Sequence, residues 1–188
     1  MRNPSPHIEP SMTNYRRNAV AGGRFFFTVN LAERRLRLLT DHIDLLRGAF
    51  RHTRQHHPFG IDAIVILPDH LHAVWTLPDG DRDFALRWRL IKATFSRGLP
   101  AGERISESRA RKAERGIWQR RYWEHTLRDD DDVARHIDYI HYNPVKHGHV
   151  ARVADWPHSS FHRLVARGVY PADWAGNAAD PDDNFGER

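Results

Sequence analysis

Two apolar runs, residues 61–67 and 70–77, are separated only by Pro68 and Asp69. A connection that short makes them an antiparallel hairpin, because a parallel pair needs a crossover of about a dozen residues or more. The rest of the chain is arranged around this hairpin. Upstream, residues 24–31 are aromatic and β-branched and follow Gly22 and Gly23, which reads as a strand. Between the two lies a helix from Thr40 or Asp41 to about His57, with Ile43, Leu46, Ala49 and Phe50 on one face and Pro58 and Gly60 to end it. A second helix spans residues 83–97, with Phe84, Trp88, Ile91 and Phe95 on one stripe. A short strand over residues 122–127 follows. Residues 129–132, all Asp, open a final helix, which Pro144 is expected to stop at Asn143. The order β-α-β-β-α-β plus a helix predicts an α+β, ferredoxin-like sandwich: an antiparallel sheet with helices on one face and a C-terminal helix added.

Composition narrows the chemistry. The 188 residues contain no Cys, which excludes disulfides, thiolate metal sites and a cysteine nucleophile, and fits a reducing cytoplasm. No apolar run reaches the ~20 residues of a membrane helix. The formal charge of +5 is uneven. Residues 87–128 carry 12 basic and 4 acidic groups, together with Trp88, Trp118, Tyr122 and Trp123. Arginines interleaved with aromatics suit single-stranded nucleic acid, where bases stack and guanidinium pairs with phosphate; a solvated helix with a mobile loop over residues 98–117 is the bland alternative. Residues 173–188 are acidic, with 5 acidic groups against 1 basic.

Among 14 histidines, His70 and His72 stand out. One residue apart on a strand, both imidazoles project from the same face, while Leu71 and Ala73 point into a core. Such a pair can share a divalent ion, although half-buried strand histidines satisfied by hydrogen bonds are common. On the final helix, Tyr139 and Asn143 are i and i+4 and share a face, apart from the apolar stripe of Val133, Ile137 and Ile140. An amide oxygen from Asn143 can complete a His/His/Asn set, and a tyrosine beside a bound phosphate is a nucleophile. The plain alternative is a surface tyrosine and an asparagine at a helix end. His136 and Lys146 lie within range of Tyr139, and neither is singled out as its base.

The segments Val65-Ile-Leu-Pro-Asp-His-Leu-His-Ala-Val-Trp75 and Asp138-Tyr-Ile-His-Tyr-Asn-Pro-Val-Lys-His-Gly148 resemble the HUH single-tyrosine transposases, most closely the REP-associated tyrosine transposases. The likeness extends to Tyr15-Arg-Arg17, Phe26-Phe-Thr-Val-Asn30, Tyr122-Trp-Glu-His125, Asp155-Trp-Pro157, Phe161-His-Arg163 and Asp173-Trp-Ala-Gly176. It implies a transposase domain over residues 15–176, between a loose arm at 1–14 and an acidic tail at 177–188, with a basic inserted loop at 98–116. It further implies His70, His72 and Asn143 as ligands of Mg²⁺ or Mn²⁺, and Tyr139, not Tyr142, as nucleophile. The substrate would be single-stranded DNA of palindromic repeats that fold into hairpins, cut and rejoined through a 5′-phosphotyrosine. Tyr15, Arg16, Arg17, Arg87, Arg89, Lys92, Arg120 and Arg121 are the candidate DNA contacts. A monomer is favoured over a domain-swapped dimer. The competing readings are a non-catalytic hairpin DNA- or RNA-binding module and a metal-dependent hydrolase.

Overall fold

Strand β1 (Arg24–Asn30) is buried along nearly its whole length because both sides of it are covered. Phe25, Phe27 and Val29 face one apolar cluster, and Phe26 faces a second. A strand packed on both faces reads as a continuous apolar run, which is why the Phe triplet shows no alternation. Around it lie β2 (Gly60–Ile66), β3 (His70–Thr76) and β4 (Trp123–Thr126), in the order β2-β3-β1-β4, all antiparallel. This is the expected α+β sandwich. The computed structural model describes residues 20–175. The candidates Tyr15, Arg16 and Arg17, the arm at 1–14 and the tail at 177–188 lie outside the described residues.

The helices divide between the two faces. After a single turn, α1 (Leu38–Asp41), the chain kinks at His42 and enters α2 (Ile43–His56). Together with α3 (Phe84–Gly98), α2 covers the face carrying Leu71, Ala73 and Trp75, as the apolar stripes predict. Trp75 and Trp88 stack at 4.1 Å between ring centroids at the centre of this layer. Asp83 caps α3 by accepting from Leu86 N–H at 2.8 Å.

The opposite face receives α5 (Asp130–Lys146), which lies across β2 and β3. Asp129 caps it, accepting from Asp132 N–H at 2.8 Å. The helix does not stop at Asn143. It runs through Pro144 and closes with His147 N–H donating to Asn143 O and Gly148 N–H to Val145 O. Proline removes one helical N–H, but Ile140, Asn143 and Pro144 are all buried, and that burial holds the last turn in register. Beyond α5, a 3₁₀ turn (Val153–Asp155) and α6 (Phe161–Ala166) bring residues 158–160 along β2, where Ile64 and Ile66 exchange hydrogen bonds with Ser160 and His158. That covers the outer edge of the sheet.

The 98–117 segment, expected to be a mobile loop, is folded into the protein. It contains a one-turn helix, α4 (Glu107–Ala110). Arg115 forms a two-pronged pair with Glu103 and also donates to the carbonyls of Ser96, Leu99 and Pro100. Its arginines are therefore partly structural, which lowers the number free for a ligand.

Candidate functional site

Register decides what the α5 face of the sheet carries. Thr28 pairs with His72, Asn30 with His70 and Phe26 with Val74. Side-chain alternation then places Thr28, Asn30, His70 and His72 together as a buried polar patch, beside the apolar floor of Phe26 and Val74. The two imidazole centroids are 5.0 Å apart, so the paired histidines do share one face.

Each imidazole is oriented by a neighbour. Asp69 accepts from His70 Nδ1–H at 2.7 Å, and the Thr28 hydroxyl meets His72 Nδ1 at 2.9 Å. Asp69 is in turn paired with Arg34, which also donates to Asn30 Oδ1 at 3.2 Å. Burial works against ionisation of Asp69, but donation from His70 and Arg34 outweighs it and holds its pKa down at about 2. For His70, burial pushes the pKa below the ordinary histidine value, with Asp69 pulling the other way. With Nδ1 bound to a carboxylate or hydroxyl, the lone pair of a neutral ring lies at Nε2, the arrangement found behind metal-bound histidines. His70 Nε2 is buried and has no hydrogen-bond partner within the described residues, as a ligand atom aimed at an ion would.

The tyrosine arrives from the other side. Tyr139 is 2% exposed, and its ring centroid lies 5.3 Å from that of His72 and 6.1 Å from that of Phe26. It belongs to the apolar cluster under α5, so setting it apart from the helix's core stripe is corrected: the face of α5 toward the sheet is wide enough to include it. Lys146, two turns on, places Nζ 3.3 Å from Tyr139 Oη and 4.6 Å from the ring centroid. His136 instead directs Nδ1 at the Asp132 carbonyl, 2.8 Å away. Asn143 is fully buried one turn beyond Tyr139, and His147 stands 5.1 Å from His70 between ring centroids.

The candidate DNA contacts fare unevenly. Arg87 is 3% exposed and spent within the protein: it donates to both carboxylate oxygens of Asp81 and to the carbonyls of His57, Pro58 and Asp83. It is therefore corrected from a surface contact to a buried tie between α3 and the loop before β2. Lys92 donates to Gln119 O and lies over the rings of Trp118 and Tyr122, and Arg120 pairs with Glu114. Arg89 and Arg121 are exposed. Arg89, Lys92, Arg97 and Arg120 line a cleft of about 750 Å³ between α3 and the segment ending at Tyr122. None of the four residues of the histidine–tyrosine site lines it.

Thr28, Arg34 and Asp69 were missed as supporting residues. Asp69 could have been found as the residue leading into His70, whereas Thr28 is placed only by strand pairing.

A ferredoxin-like sheet that sets a His-x-His pair against a tyrosine on the covering helix defines the HUH single-tyrosine class. Within it, the REP-associated tyrosine transposase of Escherichia coli K12 is 48% identical over 169 residues, covering 90% of this chain and 94% of the relative. A Haemophilus influenzae relative with the same family designation is 51% identical over 167 residues, covering 88% of this chain and 95% of its own. A solved structure of a REP-associated tyrosine transposase bound to a REP hairpin aligns with a TM-score of 0.81 at 48% identity, over 94% of this chain and 98% of that one. No protein-family model matches the sequence. The chain belongs to the REP-associated tyrosine transposases.

Proposed function

We propose that this protein is a transposase that cuts and rejoins single-stranded DNA beside hairpin-forming palindromic repeats, with Tyr139 as nucleophile. The approach of Tyr139 to His72, over a pair of imidazoles whose Nδ1 atoms are held by Asp69 and Thr28, carries the reading. His70, His72 and Asn143 would hold a divalent ion, Mg²⁺ or Mn²⁺, which when bound supplies polarisation of the scissile phosphate. Tyr139 Oη attacks phosphorus; the Oη–P bond forms as the P–O3′ bond breaks, the phenolic proton leaves and the 3′ oxygen gains one. Lys146, at Oη, stabilises negative charge there as the proton departs. The 5′-phosphotyrosine keeps the energy of the broken bond, so a 3′ hydroxyl can reverse the step without ATP. One chain supplies both histidines, the asparagine and the tyrosine, so a monomer suffices. Arg89, Lys92, Arg120 and Arg121 remain the described candidates for DNA contact, and the unit that binds would span residues 15–176.

A hairpin oligonucleotide with a single-stranded 5′ extension, incubated with the protein and Mg²⁺ or Mn²⁺, tests this. A covalent protein–DNA band is expected, abolished by Tyr139→Phe and by chelator. Cleavage that survives Tyr139→Phe would point to a water nucleophile. Binding without cleavage in either metal would leave a hairpin-binding module.

A further inference from the structure

A second group of metal-capable side chains sits away from the histidine pair. His125 on β4 and Asp132 and His136 on the first turns of α5 each present a ligand atom, all within 4.8 Å of one another. His125 Nε2 is 3.1 Å from Asp132 Oδ2, and His136 Nδ1 is 3.2 Å from Asp132 Oδ1. Bonds of about 2.0–2.2 Å to one ion separate neighbouring donors by about 3.0–3.6 Å, so each imidazole already stands at that spacing from one oxygen of the Asp132 carboxylate, and an ion would draw the two imidazoles together from a separation within 4.8 Å. The three residues line a cleft of about 340 Å³ that also opens onto Trp123, Arg128, Asp129 and Arg135. Two residues are one helical turn apart and the third comes from a strand, so an ion here would join two elements.

We propose that His125, Asp132 and His136 form a second divalent-metal site, one that pins the tyrosine helix to the edge strand of the sheet. Two imidazoles and one carboxylate, with the remaining positions open to water, suit a borderline ion such as Zn²⁺ better than Mg²⁺. Asp129 brings a second carboxylate to the cleft, against Arg128 and Arg135. Arg135, 3.5 Å from Asp132 Oδ1, is 72% exposed and can swing away. The ion would take the place of the Nδ1 proton that His136 shares with the Asp132 carbonyl. His136 is one turn before Tyr139, and both rings lie against Phe26, at 4.8 and 6.1 Å between centroids. Phe26 also touches His72, at 5.6 Å. The ring stands between the two sites, so an ion at the second fixes the start of α5 without entering the first.

The test uses the full chain, freed of metal, with His70 and His72 both changed to Ala so that the candidate catalytic pair is gone. Zn²⁺ is titrated by calorimetry and Co²⁺ by its visible spectrum, alongside thermal unfolding. One ion per chain and a rise in Tm of several degrees are expected, both lost on adding His125→Ala or Asp132→Asn. Loss with His125→Ala also separates this site from the exposed His52 and His56, whose rings are 4.6 Å apart on α2. In the otherwise native protein, native mass spectrometry should count one Zn²⁺ fewer per chain after His125→Ala, a readout that does not need the double variant to fold. Zn²⁺ binding that is absent from the pair-deleted protein, or unchanged by His125→Ala, overturns the proposal. Neither result depends on strand cleavage, so this inference and the transposase reading fail separately.

Discussion

Arg87 and Lys146 show how much a single cation's meaning depends on where it is held. In the sequence Arg87 is one of 12 basic residues in a charged stretch. In the fold it is buried, clamped to Asp81 at 2.6 and 3.2 Å. Its removal strips the carbonyls of His57, Pro58 and Asp83 of their donor and leaves the partly exposed Asp81 unpaired, so Arg87→Leu should cost about 1–3 kcal/mol in chemical denaturation. Its effect on hairpin affinity should disappear when the variant is assayed well below its unfolding midpoint. Lys146 is outwardly unremarkable, an exposed residue near a helix end, yet its ammonium reaches the Tyr139 oxygen at 3.3 Å. Lys146→Met should slow formation of the covalent adduct by about 10- to 100-fold, with Arg restoring part of the rate and hairpin binding little changed. At this scale spacing set His70 with His72 and Tyr139 with Asn143 on shared faces, because strand and helix periods fix them, while the roles proposed for the four came from the family resemblance. Thr28 and Arg34 were not, because their roles depend on which residue lies across the sheet.

Among the elements, α5 carries the most consequence. It presents Tyr139 and Asn143 to the sheet, and on its other flank it buries His141 against α6 and the residues after it. His141 meets Ser160 at 3.1 Å and packs on Phe161, Tyr170 and Trp174. Burial, reinforced by Arg163 and His162, lowers its pKa to about 3. Its unfolded value is near 6.5, so between the two values the unfolded chain binds the extra proton. The native state should therefore lose stability as pH falls below about 6.5, by at most about 1.4 kcal/mol per pH unit from this group. Tm measured from pH 7 to pH 5 should fall less in His141→Gln than in the parent. The helix also shows a limit of local rules. Pro144 reads as a stop, but tertiary burial of its neighbours carries the helix another turn, and only that turn brings Lys146 within reach of Tyr139.

For the whole molecule, the sheet separates two kinds of surface. On the α5 face lies the histidine–tyrosine site, and between α3 and the 98–122 segment lies the basic, aromatic-lined cleft. Contacts to phosphate make binding salt-dependent, with a slope of log K against log salt that falls by about one unit for each contact removed. Arg89→Ala and Arg121→Ala should each reduce the slope for a hairpin oligonucleotide, whereas Glu103→Gln, in the folded 98–117 segment, should leave it unchanged. Equal slopes for all three proteins would remove both arginines from the interface.

By itself, the sequence determined the β-α-β-β-α-β order with its following helix, the antiparallel hairpin and the residues that share a face, because strand and helix periods and a two-residue turn are local constraints. It also carried the family, through motifs that span most of the chain. Tertiary structure alone decided the rest: which face of the sheet each helix covers, that Arg87 and Arg115 are bound inside the protein, and that Thr28 stands behind His72. It also decided that His125 lies beside Asp132 and His136. These facts depend on strand register and on burial energies summed over distant residues, and no window of sequence contains them.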